Sequence, residues 1–207
     1  MLILDFLKGI LIGFLASAPL GAVGIFIIQR TINRGRSVGF LSGLGAALSD
    51  SIYAGISGLS VALVLPVVRE YELALRIFGS VLLIALGLFV FLSHPERYAG
   101  ANPELTNAPA KNIFHTFLIA ASNPLIMFLH LGLFSAFGVV LQFGKLTEAM
   151  LFLLGFFGGA ATWWFVLTWL INLFRHRFSL KICLVFNRLA GTAIIAFVLI
   201  LLADWMF

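Results

Sequence analysis

Ala16-Ser17-Ala18-Pro19-Leu20 and Ala121-Ser122-Asn123-Pro124-Leu125 are two versions of one segment, one in each half of the chain. Each proline falls near the middle of an apolar run. There it removes a helical hydrogen bond and clashes with the preceding turn, so the helix must kink or break. Order is kept downstream of both copies. Phe40-Leu41-Ser42-Gly43 corresponds to Phe152-Leu153-Leu154-Gly155, and Arg76-Ile77-Phe78-Gly79-Ser80 to Arg188-Leu189-Ala190-Gly191-Thr192. Three matches in the same order indicate an internal repeat.

Six stretches nearly free of charge carry these motifs. They predict helices over Leu2 to Ile28, Val38 to Leu65, Glu72 to Leu92, Asn112 to Leu141, Thr147 to Phe174 and Lys181 to Trp205. Each is long enough to cross a hydrocarbon core of about 30 Å at 1.5 Å per residue. A unit of three spans is odd, so the second copy enters the membrane inverted. The fold expected is therefore an all-α integral membrane protein of six transmembrane helices, built as two inverted three-helix repeats with helices 1 and 4 broken at proline. The whole chain, 1–207, forms one membrane domain: repeat 1 over 1–93, a linker over 94–111 carrying Pro95, Pro103 and Pro109, and repeat 2 over 112–207.

Composition agrees with this reading. Apolar residues make up 62% of the chain and charged ones 10%, against about 45–50% and about 25% in soluble domains. The net charge of +5 forms no basic face of an independent domain, so nucleic acid is not an expected partner. The basic residues instead sort by side. Arg30, Arg34, Arg36, Arg97, Lys111, Arg175, Arg177, Lys181 and Arg188 lie near the odd-numbered connections, and Lys8, Arg69, Arg76 and Lys145 near the other side. The positive-inside rule makes the odd loops cytoplasmic and places both termini in the periplasm. Lys8 and the apolar run ending in Ala16-Ser17-Ala18 resemble a signal peptide. However, Pro19 follows directly and the same residues recur in the second half, so the segment is expected to stay as a mature helix.

Inverted repeats with broken helices are a recurrent architecture of secondary transporters, which hold the solute near the midplane where the breaks meet. The candidate site is therefore Ser17, Pro19, Gly21, Asn123 and Pro124. Gly21 and Gly24 add backbone freedom, and Ser17, Ser122 and Asn123 add hydrogen-bonding groups. Asp50 lies halfway along helix 2, where a carboxyl costs at least about 2.5–3.5 kcal/mol on insertion scales and marks functional sites by default. It is the candidate for exchanging protons; the packing alternative bonds it to Ser49, Ser51 or a helix end. Thr162 holds the repeat-equivalent position in helix 5. His130, two turns after Pro124, is a candidate relay or solute ligand. Trp163 and Trp164 either line the cavity or pack. Gly39, Gly43, Gly155, Gly158 and Gly159 are expected at close helix contacts, and Gly35 in a turn. The single cysteine, Cys183, excludes a transmembrane dithiol relay.

No zinc-binding His-Glu-x-x-His, Gly-x-Ser-x-Gly elbow or phosphate-binding glycine loop is present. Neither enzymatic activity nor a cofactor is expected. A non-transporting scaffold, or a metal-ion exporter using Asp50, His130 and Met127, are the competing readings.

The segment Gly13 to Gly24, the Gly35-x-x-x-Gly39-x-x-x-Gly43 run leading to Asp50, Asn123-Pro124, and Asn187-Arg188-Leu189 together resemble the LysE/RhtB family of amino-acid exporters over nearly the whole chain. The resemblance implies a bacterial inner-membrane exporter of amino acids or related small metabolites driven by the proton gradient, with its functional breaks at Pro19 and Pro124 and its key acid at Asp50. Small-molecule substrate, protons and the lipid bilayer are then the expected partners. Six short helices leave little room around a central cavity, which makes a homodimer a candidate assembly. Two departures stand out: the family's Pro-Gly-Pro is here Pro19-Leu20-Gly21, and the basic residue that often follows Asn-Pro is Leu125.

Overall fold

The computed structural model describes residues 2–18, 21–70, 72–92, 109–123, 125–142 and 144–173, together with 184–185, 187–189, 191–192, 194–196 and 198–200. Among them the regular structure is entirely helical: α1 (Leu2–Ser17), α2 (Ala22–Arg34), α3 (Arg36–Glu70), α4 (Glu72–Leu92), α5 (Pro109–Ala121), α6 (Leu125–Ala136) and α7 (Leu146–Leu173). The residues described between 184 and 200 are also helical.

The first and fourth apolar runs are each divided where the repeat places a proline. α1 stops at Ser17 and α2 starts at Ala22, whereas α5 stops at Ala121 and α6 starts at Leu125. Pro19 and Pro124 themselves lie outside the described residues. The division has a consequence for length. The four pieces have 16, 13, 13 and 12 residues, all short of the roughly 20 needed to cross a bilayer singly. Among the described residues α7 is the helix both long and apolar enough to span on its own.

Other boundaries move for local reasons. α5 opens on Pro109, which suits a helix's first position because its missing N–H has no intrahelical partner there anyway. The expected linker thus gives up residues 109–111 to the helix. α6 ends at Ala136, five residues before the expected Leu141, and Gly138 turns the chain at φ +60°. Gly35 closes α2 at φ 91°, ψ 168° while its N–H bonds to the Thr31 carbonyl. That backbone region is essentially open to glycine alone, and it lets α3 begin at once at Arg36.

Small residues mark the closest helix contacts, around a core that includes Ile12, Phe134 and Phe156. Gly9 and Gly13 of α1 lie against the backbone carbonyls of Phe152 and Phe156, and Gly155 and Gly159 of α7 lie against those of Phe6 and Ile10. The two Gly-x-x-x-Gly rows face each other, which lets the backbones touch. α3 meets α5 in the same way, Gly45 against the Ile113 carbonyl. Gly87 of α4 and Gly191 face each other, with the Gly191 carbonyl 3.1 Å from a Cβ built on Gly87. Gly43 admits the Trp164 side chain and Gly39 that of Thr31. Gly158 departs from the expectation, since a side chain there would enter open space. Adjacent helical residues point about 100° apart, so only one of Gly158 and Gly159 can face α1. Leu4, Leu7, Leu11 and Leu15 of α1, and Leu48, Ile52 and Ile56 of α3, form exposed apolar stripes. That surface is unsuited to water and suited to lipid.

Candidate functional site

One turn of α3 joins the two helix breaks. Asp50 accepts a hydrogen bond from the Ser17 hydroxyl (3.3 Å), at the last residue of α1. One turn later the Tyr53 hydroxyl donates to the carbonyl of Ala121, the last residue of α5. That carbonyl belongs to the final turn of a helix, where backbone acceptors lack intrahelical partners. Residues three apart share a helix face, so the same strip of α3 serves both broken helices.

Asp50 is 7% exposed and Ser17 4%. Asp50 bonds not to Ser49 or Ser51 but to Ser17 at the end of α1, a helix-end partner that the packing alternative also allows. Ser51 donates back to the Ala47 carbonyl (2.7 Å), and Ser49 is buried with no partner for its hydroxyl. Among the described residues the hydrogen bond to this carboxyl comes from one neutral hydroxyl.

The two breaks are chemically unequal. Ser17 turns inward, whereas Ser122 is exposed and donates to the Leu118 carbonyl (2.8 Å). Asn123 shapes the backbone of the second break: its N–H bonds to the Ala120 carbonyl and its carbonyl receives the Ile126 N–H. Gly21 is exposed and extended at φ −77°, ψ −161°, and its carbonyl accepts the Ile25 N–H. Those angles suit any residue. A side chain there would enter open space, so neither close approach nor the backbone freedom expected of Gly21 calls for glycine. Thr162, the repeat counterpart of Asp50, is exposed and bonded to the Gly158 carbonyl.

His130 is fully buried in a different environment, among the rings of Phe134 and Phe156 at 6.2 and 5.3 Å. Neither ring nitrogen makes a hydrogen bond; the Ile126 carbonyl lies beside the ring without meeting that geometry. Trp163 packs edge-on against Phe14 (5.2 Å) and Trp164 fills the space over Gly43. Both therefore have packing roles. Among the described residues no group of three His, Cys, Asp or Glu comes together.

The ends of the bundle also differ. At one end a cavity of about 140 Å³ is lined by Asp5, Lys8, Gln142, Lys145, Glu148 and Phe152, among others. At the other, Arg30 of α2 is buried under α3 and α5, donating to Ser42 Oγ (2.9 Å), the Asn112 carbonyl (3.4 Å) and Thr116 Oγ1 (3.4 Å). Sequence reasoning took Arg30 only as a topology marker, and it missed Tyr53. Tyr53 could have been found from its place three residues after Asp50; its loss is also measurable. Tyr53→Phe leaves the Ala121 carbonyl unpaired and is expected to cost about 1 kcal/mol, read as a lowered unfolding midpoint in detergent.

The LysE type translocator family model matches residues 14–204. The chain belongs to the LysE translocator family. It is an integral membrane protein, as that membership requires, and the matched span takes in both breaks, Asp50 and Arg30. A relative from Bacillus subtilis (strain 168), named "Putative amino acid efflux protein YcgF", is 26% identical over 195 residues, covering 93% of this chain and 92% of its own. No solved structure matches the chain.

Proposed function

We propose that this LysE family member is a proton-coupled exporter of amino acids or related small metabolites in the bacterial inner membrane. The observation that carries the reading is the α3 turn whose Asp50 and Tyr53 reach the two interrupted helices together. A site built this way lets a change at one carboxyl be felt at both breaks. The relative named for amino acid efflux, aligned over nearly its whole length, supports the solute class.

In this reading the chain is one domain of six spans in two inverted repeats, 1–93 and 112–207, around the linker that begins at residue 94. Reciprocal packing supports it: the first helix of each half lies on the second helix of the other, α1 on α7 and α5 on α3, with glycine at both contacts. The sorting of charge by ends supports periplasmic termini. Arg30 meets the start of α5 near Lys111, while Lys8 and Lys145 share the opposite cavity. The partners are the solute, protons, the surrounding lipid and a second copy of the chain in a homodimer.

Transport would proceed with Ser17, Gly21 and Asn123, and the backbone freed by Pro19 and Pro124, forming the solute's path. Asp50 takes up a proton from the outer side and releases it inward as the solute leaves. His130 belongs to the proposed set because a buried ring nitrogen without a hydrogen-bond partner costs about 1–3 kcal/mol, and the apolar rings around it do not offset that cost. The test is counterflow: proteoliposomes loaded with each unlabelled L-amino acid are given the labelled form outside. Exchange of at least one amino acid is expected; its absence across the panel would remove the amino-acid assignment.

A further inference from the structure

We propose that Arg30 is the group that grips the carboxylate of the transported solute. This rests on the exporter reading above and adds the ligand chemistry of its inward-collecting end. The guanidinium is 2% exposed, and burying such a charge costs several kcal/mol unless an anion compensates. Among the described residues no carboxylate pairs with it. Its partners are Ser42, Thr116, the Asn112 carbonyl and His115 Nδ1 (3.4 Å), with the Phe26 ring 4.3 Å from Cζ.

These partners are unevenly spread. Nη1 serves three acceptors, Nη2 reaches only the His115 nitrogen, and Nε has no partner at all. The Nε–Nη2 edge is therefore under-used. Its two parallel N–H groups match the two oxygens of a carboxylate, the bidentate pairing that makes arginine suited to this recognition. The acids whose side chains are described stand elsewhere. Asp50 holds Ser17, eight residues along α3 from Ser42 and so about 12 Å away. Asp5 and Glu148 line the cavity at the opposite end.

Phosphate oxygens of a lipid headgroup share this chemistry, but the location favours the solute. Ser42 and Thr116 are fully buried, Asn112 is 2% exposed and Nε itself is buried, so the guanidinium lies between α2, α3 and α5, with the exposed His115 beside Nη2. A carboxylate on this edge would compete with the His115 contact and leave the three Nη1 bonds in place.

The experiment compares each L-amino acid with its own carboxamide as stabilisers of the purified full chain in neutral detergent, with unfolding followed by the tryptophan fluorescence. At least one acid is expected to raise the midpoint of the wild type, while its amide does not. Arg30→Gln should weaken apparent affinity for that acid about ten- to hundredfold, the range for losing a charged hydrogen bond, and Arg30→Lys should recover part of it. Three results would overturn the site: no acid stabilises the wild type, acid and amide act alike, or stabilisation comes from added phosphatidylglycerol alone. The acid–amide comparison needs no variant, so a poorly folding Arg30→Gln does not weaken it. Because binding is read apart from transport, a wild type that binds an acid but exchanges none would sink the exporter reading and keep the site. Exchange of acid and amide alike would do the reverse.

Discussion

Asp50→Asn is expected to abolish accumulation of solute driven by an imposed pH gradient while leaving counterflow of the same solute measurable. Asparagine keeps the size of the side chain and can still accept the Ser17 hydroxyl, whose bond is at 3.3 Å. What it removes is the ability to change charge. If the proton's path runs through this carboxyl, the gradient can no longer do work on the solute, and the driven rate falls by at least about tenfold. Exchange needs only the solute's path and should persist. Loss of both activities with a normally folded protein would instead make Asp50 a binding group. Full retention of both would place coupling elsewhere and return Asp50 to packing.

The second large effect concerns the crossing of α1 and α7. A methyl group at Gly9, Gly13, Gly155 or Gly159 would collide with a backbone carbonyl of the facing helix, which cannot swing aside as a side chain does. Gly159→Ala is expected to destabilise by about 1–3 kcal/mol or more through overpacking, and Gly159→Leu to prevent a monodisperse product. Gly158→Ala is the internal control. Its side chain would enter open space, and alanine's helical preference over glycine, about 0.5–1 kcal/mol, favours it. Unfolding midpoints in detergent for the pair should therefore move in opposite directions. Equal effects would mean that α1 and α7 do not meet through this face.

The contrast between these neighbouring glycines shows how far the sequence could be read. The breaks were legible because a proline inside an apolar run leaves no alternative, and α4 runs from Glu72 to Leu92 as its hydropathy predicts. Asp50 was legible by its cost: a carboxyl so deep in an apolar stretch needs a reason. Which face of a helix looks inward was not legible, because nearly every face is apolar. Gly158 was accordingly grouped with Gly159, and the Gly9-x-x-x-Gly13 row on α1 passed unnoticed. Arg30 was hidden by its address. Lying beside Arg34 and Arg36, it reads as one more loop cation, and only the fold shows that Phe26, Ser42 and Thr116 enclose it. His130 was singled out for its depth, and the structure sets it among Phe134 and Phe156, an environment that two dispersed apolar segments do not announce.

The central claim is that solute movement past the two breaks is tied to the protonation of Asp50. Its most direct test uses proteoliposomes with a pH-sensitive dye trapped inside, to which the amino acid identified by counterflow is added. The account predicts a change of internal pH that follows solute movement in the wild type and vanishes in Asp50→Asn. Solute movement with no accompanying proton movement in the wild type, or a pH change that survives the substitution, would contradict it.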